Sequence, residues 1–348
     1  MFYGVDANYA LLMESLGFGW RAEQGEPVED LYRYLAGKGV NCARVRLWVG
    51  EDGPSRFRYA ASVMKMAYEA GMDIYLVVFL SEGWADLYKQ PAPRAWETLS
   101  IEKKTEAVRS YVKDVVDRVN DMGFKPKLYQ VGNEVDYGIC GVFASNKKRR
   151  KDLGWLRRRV WRYEAEILKA ALQGLRGVDP DASIAIHLGK WWDQRLIISF
   201  LSAMEDFDID FDTLCLSFYP SMFGADFDIL DRLKEIADSS GKRCVIAEYA
   251  YPSGPMSGRF WFMNTPTPGY PFTHEGQAKW LKDFLSRCRR LGFHGAFYWS
   301  PEVYLPIELA KKAPAPPEMP LSFGWSPMAL FDERGRAKLS IDSFRVGS

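Results

Sequence analysis

Short apolar runs rich in β-branched and aromatic residues alternate along this 348-residue chain with longer amphipathic segments. Alternation of this kind predicts repeated βα units around a parallel sheet. We count eight such runs, over residues 1–5, 42–48, 73–80, 127–131, 183–187, 213–218, 243–248 and 295–299. Because eight parallel strands close a barrel, we predict an α/β fold, a (β/α)8 TIM barrel, that forms one domain over residues 1–348.

The segments between the strands have apolar residues three to four positions apart, which is typical of helices packed on a sheet. Helices are predicted over residues 27–38, 60–70, 101–122, 156–175, 194–204, 229–239 and 275–291. Long irregular stretches follow four of the strands, over residues 81–99, 138–154, 252–273 and 301–327. Loops after barrel strands meet at the C-terminal end of the barrel, so we expect these to form an open substrate cleft.

Charge and composition exclude several classes of protein. Forty-six Lys and Arg against forty-five Asp and Glu give a net charge of +1, so no overall field attracts nucleic acid or an anionic membrane. No run approaches the roughly twenty apolar residues of a membrane-spanning helix. The N-terminal residues lack the pattern of a signal peptide. We expect a monomer without nucleic-acid or membrane partners, either cytoplasmic or secreted after removal of a signal.

Cysteine and histidine are too few for a typical metal centre. The five cysteines are scattered and have no C-x-x-C spacing, which predicts reduced, buried thiols. Since there are also only three histidines, we predict no metal and no cofactor. Asn and Gln are scarce, with six of each in a charge-rich chain, which favours a thermophilic source.

The aromatic content, twelve Trp, eighteen Tyr and twenty-one Phe, is high for a core of this size. Two explanations stay open at this point: indole faces that stack on sugar rings, and a tryptophan-rich core and barrel rim. A basic stretch, residues 147–162, is interleaved with Trp155 and Trp161 and would suit an anionic surface. The near-zero net charge favours the other interpretation, a solvated loop and helix face with both tryptophans turned inward.

Two of the predicted strands end in a glutamate. Glu134 follows Asn133 at the end of the fourth strand, and Glu248 ends the seventh. Strands four and seven face each other across the mouth of a barrel, so the two carboxyl groups can converge there. Either glutamate alone could be a salt-bridged rim residue, but the pair favours glycoside hydrolysis, which needs two carboxyl groups.

Longer motifs occur nearly end to end and resemble glycoside hydrolase family 53, the endo-β-1,4-galactanases, which are retaining (β/α)8 enzymes. The motif Trp-Ala-Asp-x-x-Lys-Gln followed by Ala-Trp is the most specific of them. The motifs are Gly4-Val5-Asp6, Cys42-Ala43-Arg44-Val45-Arg46-Leu47-Trp48, Trp84-Ala85-Asp86, Lys89-Gln90, Ala95-Trp96, Gly132-Asn133-Glu134, Ile186-His187-Leu188, Ser217-Phe218-Tyr219-Pro220, Ala247-Glu248-Tyr249 and Phe297-Tyr298-Trp299.

The resemblance implies a role for each matching residue. Glu134 would be the general acid/base and Glu248 the nucleophile, with Asn133 on the 2-hydroxyl of the sugar at the cleavage point. Tyr219 would hydrogen-bond the nucleophile, and Trp299 would form the floor of that subsite. The substrate, a β-galactan polysaccharide or oligosaccharide, is the partner that this family implies.

Two arginines share one face of the second predicted strand, because Arg44 and Arg46 are two positions apart. We expect at least one of them against Glu248, where a guanidinium would lower the pKa of the carboxyl; a buried ion pair inside the barrel is the alternative. His187 would border the site from strand five or be a satisfied core histidine. Further substrate contacts are expected from Asp6, Trp48, Glu82, Trp84 and Asp86.

The chain departs from the family pattern at two places near the substrate. Phe79-Leu80-Ser81-Glu82 stands where the galactanases have His-Tyr-Ser-Asp, and Asp6-Ala7-Asn8 stands in place of Asp-x-Ser. The alternatives are therefore a hydrolase for another β-glycan, such as mannan or glucan, and a non-catalytic carbohydrate-binding barrel. Bacterial members often hold calcium in a late loop, but residues 252–273 contain only Asn264 among Asp, Asn and Glu, too few ligands for calcium.

Overall fold

Eight parallel strands close into a barrel in the computed structural model, which describes residues 1–304 and 324–345. Each strand pairs with its successor in the chain, and the last pairs with the first. The strands are β1 (Phe2–Asp6), β2 (Cys42–Leu47), β3 (Asp73–Val78), β4 (Leu128–Val131), β5 (Ile184–Leu188), β6 (Thr213–Phe218), β7 (Arg243–Tyr249) and β8 (Gly295–Trp299). The predicted barrel is confirmed, with strand ends within two residues of those expected.

Helices cover the outside of the barrel between the strands. Helix ends follow local capping, as where the Ser100 side chain accepts a hydrogen bond from the backbone N–H of Lys103. The α-helices are α1 (Ala10–Ser15), α2 (Leu31–Gly37), α3 (Phe57–Glu69), α4 (Ile101–Asp121), α5 (Leu153–Leu156), α6 (Arg162–Arg176), α7 (Gln194–Asp206), α8 (Asp228–Ser239) and α9 (His274–Arg290).

Two predicted helices differ from the structure. The helix expected over residues 27–38 starts only at Leu31, because Asp30 caps it and Pro27–Val28 pairs instead with Trp20–Arg21. The helix expected over 156–175 is interrupted by a π-helical turn, Arg157–Trp161, between α5 and α6. That turn buries Trp161, whose indole N–H donates to the backbone oxygen of Asp136 at 2.9 Å.

The tryptophans of the basic stretch face inward as predicted, since Trp161 is fully buried and Trp155 packs against the core. Most of the basic side chains around them are exposed. Arg150 and Arg157 are partly buried. Arg157 pairs with Asp206, whereas Arg150 folds back and donates to the backbone oxygens of Ala144 and Leu87. The basic stretch is therefore mainly a solvent-exposed surface, which the hydrogen bonds of Arg150 attach to the rest of the protein.

The inside of the barrel is apolar at its centre and polar toward the C-terminal ends of the strands. Alternate residues of each strand point inward, and the central cluster includes Cys42, Tyr75, Val77, Leu128, Ala185, Cys215, Val245 and Phe297. Two positions further along their strands, Arg44, Gln130 and His187 are fully buried polar side chains. The polar layer lies directly beneath the cleft that the loops form.

Several smaller expectations can be compared with the structure. All five cysteines are buried free thiols. No helix within residues 1–304 and 324–345 is long and apolar enough to cross a membrane. Most of the predicted loop over 301–327 lies outside the described residues; of its described end, Trp325 packs edge-on against Trp299, with ring centroids 4.5 Å apart.

Candidate active site

A cavity of about 460 Å³ opens at the C-terminal end of the barrel. Its size is that of a small-molecule or oligosaccharide site. Eight of the residues expected in the site line it: Trp48, Glu82, Trp84, Asp86, Glu134, Tyr219, Glu248 and Trp299. The barrel topology thus brings together side chains from β2, β3, β4, β6, β7 and β8 or from the loops that follow them.

Glu134 enters the cavity from a sharp turn after β4. Gly132 and Glu134 both have positive φ, 73° and 47°, and a non-glycine residue in this region is uncommon outside constrained sites. One carboxyl oxygen, Oε2, accepts from the Leu87 N–H at 3.2 Å, and Oε1 lies 2.6 Å from Ser217 Oγ. Burial, and then the charge of Glu248, raise the pKa of Glu134 well above its usual value.

Glu248 points into the cavity because β7 contains one extra residue. Ile246 pairs with Leu216 and Glu248 pairs with Ser217, so Ala247 has no counterpart on β6. Ala247 belongs to the apolar cluster inside the barrel, and strict alternation would turn the next side chain to the outside. A bulge of this kind re-aims a side chain, and here it directs Glu248 inward.

Two partners hold the Glu248 carboxyl. Arg44 Nη1 lies 2.8 Å from Oε1, and the Tyr219 hydroxyl donates to Oε2 at 3.1 Å. Burial raises the pKa of Glu248, and the opposing effect of Arg44 does not outweigh it. Arg44 thus lowers this pKa as expected, but burial, which the sequence does not show, sets the net direction. Glu248 has the Arg44 guanidinium against it, whereas burial and the charge of Glu248 both oppose ionisation of Glu134, so Glu248 is the readier of the two to ionise.

The two arginines of β2 have different partners. Arg44 Nη1 also contacts Asp6 Oδ2 at 2.7 Å, whereas Arg46 contacts Asp6 Oδ1 at 3.2 Å and donates to the Tyr9 hydroxyl. Of the pair, Arg44 is the one against Glu248. Asp6 is fully buried between the guanidinium groups, so the two arginines share its single negative charge, and Glu248 supplies a second one to Arg44.

Five of the predicted substrate-binding residues, Asp6, Arg44, Arg46, Asn133 and His187, are almost fully buried and do not line the cavity. They form a layer of hydrogen bonds and ion pairs beneath its floor. Asn133 Oδ1, for example, accepts from Arg44 Nη2 at 2.8 Å. In the substrate-free geometry these residues orient the cavity side chains.

Aromatic rings form the walls on one side of the cavity. Trp84 packs against Trp299 and Trp48, with centroids 5.8 and 6.5 Å apart, and its indole N–H donates to Asp86 Oδ2 at 2.9 Å. Glu82 is partly exposed, and its Oε1 accepts from the Arg94 N–H at 3.1 Å. Some tryptophans line the cavity and others fill the core, so the core explanation of the aromatic excess holds in part, and stacking on sugar rings stays a prediction.

Sequence reasoning missed several residues that hold the site together. Ser217 touches Glu134, and Gln130 accepts from Arg44 Nη2 at 3.2 Å. A signal was available for both: Ser217 is two positions before Tyr219, and Gln130 is a polar residue within an apolar strand. Gly189, which contacts Glu134 from the loop after β5, carried no such signal.

The late loop does not fit a calcium site. Asn264 Oδ1 accepts from the Met256 N–H, and its amide nitrogen donates to the backbone oxygens of Met256 and Trp261. Its side chain is therefore already engaged within the loop. Across the described part of the chain, no cluster of three or more His, Cys, Asp or Glu side chains is arranged to hold a metal ion.

Gly189 makes room for the Glu134 carboxyl. A Cβ at position 189 would lie 2.5 Å from the Glu134 carboxyl carbon, and the Gly189 backbone is held by its N–H bond to Asp136 Oδ2 at 2.7 Å. We expect Gly189→Ala to displace the carboxyl and to lower kcat/KM roughly 10²-fold, with little loss of stability, since a shift of about 1 Å has that cost. The measurement is steady-state kinetics together with a urea denaturation curve.

The matched control for that change is Gly83→Ala. Gly83 lines the same cavity, but a Cβ there meets no atom within 4 Å. The account predicts near-normal kcat/KM for Gly83→Ala, and equal losses in the two variants would contradict it.

Comparison with known proteins gives a consistent result. The model of glycosyl hydrolase family 53 matches residues 2–344. An uncharacterized protein of Niallia circulans is 29% identical over 99% of this chain and 93% of its own length. An arabinogalactan endo-β-1,4-galactanase of Thermothelomyces thermophilus is 26% identical over 86% of this chain and 88% of its own length. The family 53 catalytic domain of Ignisphaera aggregans superimposes with a TM-score of 0.82, at 25% identity over 99% of this chain and 95% of that one.

Proposed function

The chain belongs to glycosyl hydrolase family 53, and on that premise we propose that it cleaves internal β-1,4 linkages of galactan by double displacement, with Glu248 as nucleophile and Glu134 as general acid/base. The observation that carries the proposal is the convergence of these two carboxyl groups in one cavity, in environments that separate their acidities. Divergent pKa values of paired carboxyl groups assign the acid and the nucleophile.

In the first step, the Glu248 carboxylate attacks the anomeric carbon while Glu134 donates its proton to the glycosidic oxygen. The bond between that carbon and oxygen breaks, and a glycosyl ester on Glu248 forms. Arg44 and Tyr219 suit this step, because both donate to the attacking carboxylate and favour its charged form.

In the second step, Glu134 takes a proton from water, which attacks the anomeric carbon and releases Glu248. Two inversions give a product with retained configuration. Once Glu248 is esterified its negative charge is gone, and one of the causes that raise the pKa of Glu134 is removed. The carboxyl that acted as an acid is thereby prepared to act as a base.

Galactan is the proposed substrate because relatives over most of the chain are arabinogalactan endo-β-1,4-galactanases. A second candidate, another β-1,4-glycan, is favoured by the apolar pair Phe79 and Leu80 in place of the family's His and Tyr. Both side chains are buried, and Phe79 packs behind Trp84 and Trp48. A non-catalytic barrel is disfavoured by the retained carboxyl pair.

The test is an assay of the purified protein on galactan, mannan, xylan and β-glucan, with Glu134→Gln and Glu248→Gln as inactive controls. We expect galactan to give the highest kcat/KM, with oligosaccharide products from internal cleavage. Preference for mannan or glucan would select the second candidate. Binding without turnover on every substrate would select the non-catalytic barrel.

Substrate discrimination is expected to depend on Glu82. Galactose differs from glucose in an axial O4, and a site that hydrogen-bonds a hydroxyl rejects sugars that cannot supply it there. Phe79 and Leu80 cannot make such a bond, whereas Glu82 lines the cavity. We expect Glu82→Gln to reduce the galactan-to-mannan ratio of kcat/KM by roughly tenfold, the value of about one hydrogen bond.

Oligosaccharides of defined length are the substrates for this comparison, so that polymer binding outside the cavity does not contribute. Arg94→Ala is its companion variant, since Arg94 contacts Glu82 through its guanidinium as well as its backbone N–H. An unchanged ratio in Glu82→Gln would show that specificity is set elsewhere.

A further inference from the structure

A buried row of polar side chains connects Glu134 to Arg44 beneath the cavity. Ser217 Oγ lies 2.6 Å from Glu134 Oε1 and 3.0 Å from His187 Nε2. On the other side of the imidazole, His187 Nδ1 lies 3.0 Å from Asn133 Oδ1, which accepts from Arg44 Nη2. Ser217, His187 and Asn133 are each at most 1% exposed, so water does not compete for these contacts.

The orientation of the Asn133 amide fixes which imidazole nitrogen carries the proton. Asn133 Nδ2 donates to the backbone oxygen of Ala85 at 3.1 Å, which leaves Oδ1 facing both Arg44 and His187. Only a protonated Nδ1 forms a hydrogen bond with that oxygen. Burial, and then the charge of Arg44, lower the pKa of His187 well below its usual value, so the ring is neutral and Nε2 has no proton.

Ser217 has one hydroxyl proton, and His187 determines where it points. Because an unprotonated Nε2 can only accept a hydrogen bond, Ser217 Oγ–H donates to His187. Toward Glu134, Ser217 Oγ therefore has only a lone pair and can only accept a hydrogen bond. Its 2.6 Å contact with Glu134 Oε1 is then a hydrogen bond in which the protonated Glu134 carboxyl is the donor.

We propose that Ser217 and His187 are positioning residues that hold Glu134 in its protonated form in the substrate-free enzyme. This rests on the proposed function, in which Glu134 is the general acid. When Glu134 gives its proton to the glycosidic oxygen, Ser217 must turn its hydroxyl toward the new carboxylate. His187 Nε2 and Ser217 Oγ then face each other with no proton between them, and this lost hydrogen bond destabilises the Glu134 carboxylate. The carboxylate is therefore a stronger base for the second step.

Other groups also act on Glu134, and Ser217→Ala removes none of them. The Leu87 N–H donates to Oε2. The charged and titratable groups that face Glu134 from the surrounding elements are Asp86 and Tyr88 after β3, Asp136 after β4, Tyr219 after β6 and Glu248 on β7. His187 faces Arg44 and, at 3.4 Å, Gln130 Nε2.

The discriminating experiment is the pH profile of kcat/KM for Ser217→Ala on a galacto-oligosaccharide. An acid must be protonated to act, so kcat/KM falls as the pH rises through the pKa of Glu134 in the free enzyme. If Ser217 accepts from the protonated carboxyl, its loss lowers that pKa and moves the alkaline limb down by about one pH unit, the value of one hydrogen bond. If Ser217 instead donates to a carboxylate, the limb moves up.

Two control variants distinguish the positioning role of Ser217 and His187 from its premise, that Glu134 is the general acid. Thr213→Val removes another buried hydroxyl of β6, one that has no hydrogen-bond partner among the described residues, and should leave the limb in place. Glu134→Gln is measured on an aryl galactobioside, whose good leaving group needs no acid, so that turnover remains. If the wild-type alkaline limb persists in that variant, the general-acid assignment is wrong. If the limb is abolished in Glu134→Gln but moves up or stays unchanged in Ser217→Ala, the general-acid assignment stands and the positioning role of Ser217 and His187 is wrong.

Nitrogen-15 NMR of the histidine rings provides a readout that does not depend on activity. The chain has three histidines, so His187 can be assigned by comparison with His187→Phe. We expect a neutral His187 with its proton on Nδ1 in the substrate-free protein. A proton on Nε2 would overturn the proposal whatever the kinetics show.

Discussion

Glu248→Ala should abolish turnover, with kcat reduced roughly 10⁵-fold, as expected when a covalent nucleophile is removed. The variant keeps Glu134, so protonation of the leaving group is still possible. Space for a small anion is created beside Arg44 and Tyr219, the two donors that held the carboxylate. Added azide should enter that space, restore part of the activity and yield a glycosyl azide of inverted, α configuration.

The matched control is Glu82→Ala, which removes another carboxyl group that lines the same cavity. It should give no glycosyl azide, because that carboxyl forms no bond to the sugar. Product identity is read by NMR and mass spectrometry. A Glu248→Ala protein with near-normal turnover would remove Glu248 from the mechanism.

Arg44→Met should be the most destabilising of the changes considered, because it takes one guanidinium away from two buried carboxyl groups at once and leaves Glu248 without its ion-pair partner. Asp6 and Glu248 both contact Arg44, and both are almost fully buried. Breaking a buried pair costs about 3–5 kcal/mol of unfolding free energy. Activity should fall roughly 10²–10³-fold beyond any loss of folded protein, as for the removal of one preorganised donor.

Arg46→Met separates the two effects. It removes the same charge from the same strand and leaves Asp6 with Arg44, but Arg46 makes no hydrogen bond or ion pair to Glu248 among the described residues. Urea denaturation should show a loss of stability in both variants. Assays on folded protein should show the larger loss of kcat in Arg44→Met; equal losses would mean that the contact between Arg44 and Glu248 contributes nothing to catalysis beyond the charge that both variants lose.

The barrel could be predicted because its signal is repeated. Each βα unit has an apolar run and an amphipathic segment, so an error of one or two residues in any strand leaves the topology unchanged. The interruption around Arg157–Trp161 was not predictable in this way. Apolar spacing fits an α-helical and a π-helical turn nearly equally over five residues, so the spacing does not show that the turn that ends in the buried Trp161 is π-helical.

The site was predictable where side-chain direction follows from strand position. Arg44 and Arg46 alternate inward as expected. The contact of Tyr219 with Glu248 was expected from the family resemblance, not from strand position. The bulge at Ala247 was not predictable, because a pairing register depends on the neighbouring strands. The net direction of the Glu248 pKa was also missed, since burial outweighs Arg44 and depends on the whole fold. Ser217 was overlooked because its role requires Glu134 to approach from another loop.

The central claim is that Glu248 forms a covalent bond to the sugar. A 2-deoxy-2-fluoro galactobiosyl donor with a reactive leaving group slows both steps and allows the glycosyl-enzyme to accumulate, so the protein can be digested and the modified peptide sequenced by mass spectrometry. The account predicts one sugar per chain, attached to Glu248. Attachment to a different residue, or turnover of the reagent with inverted configuration and no attachment, would contradict it.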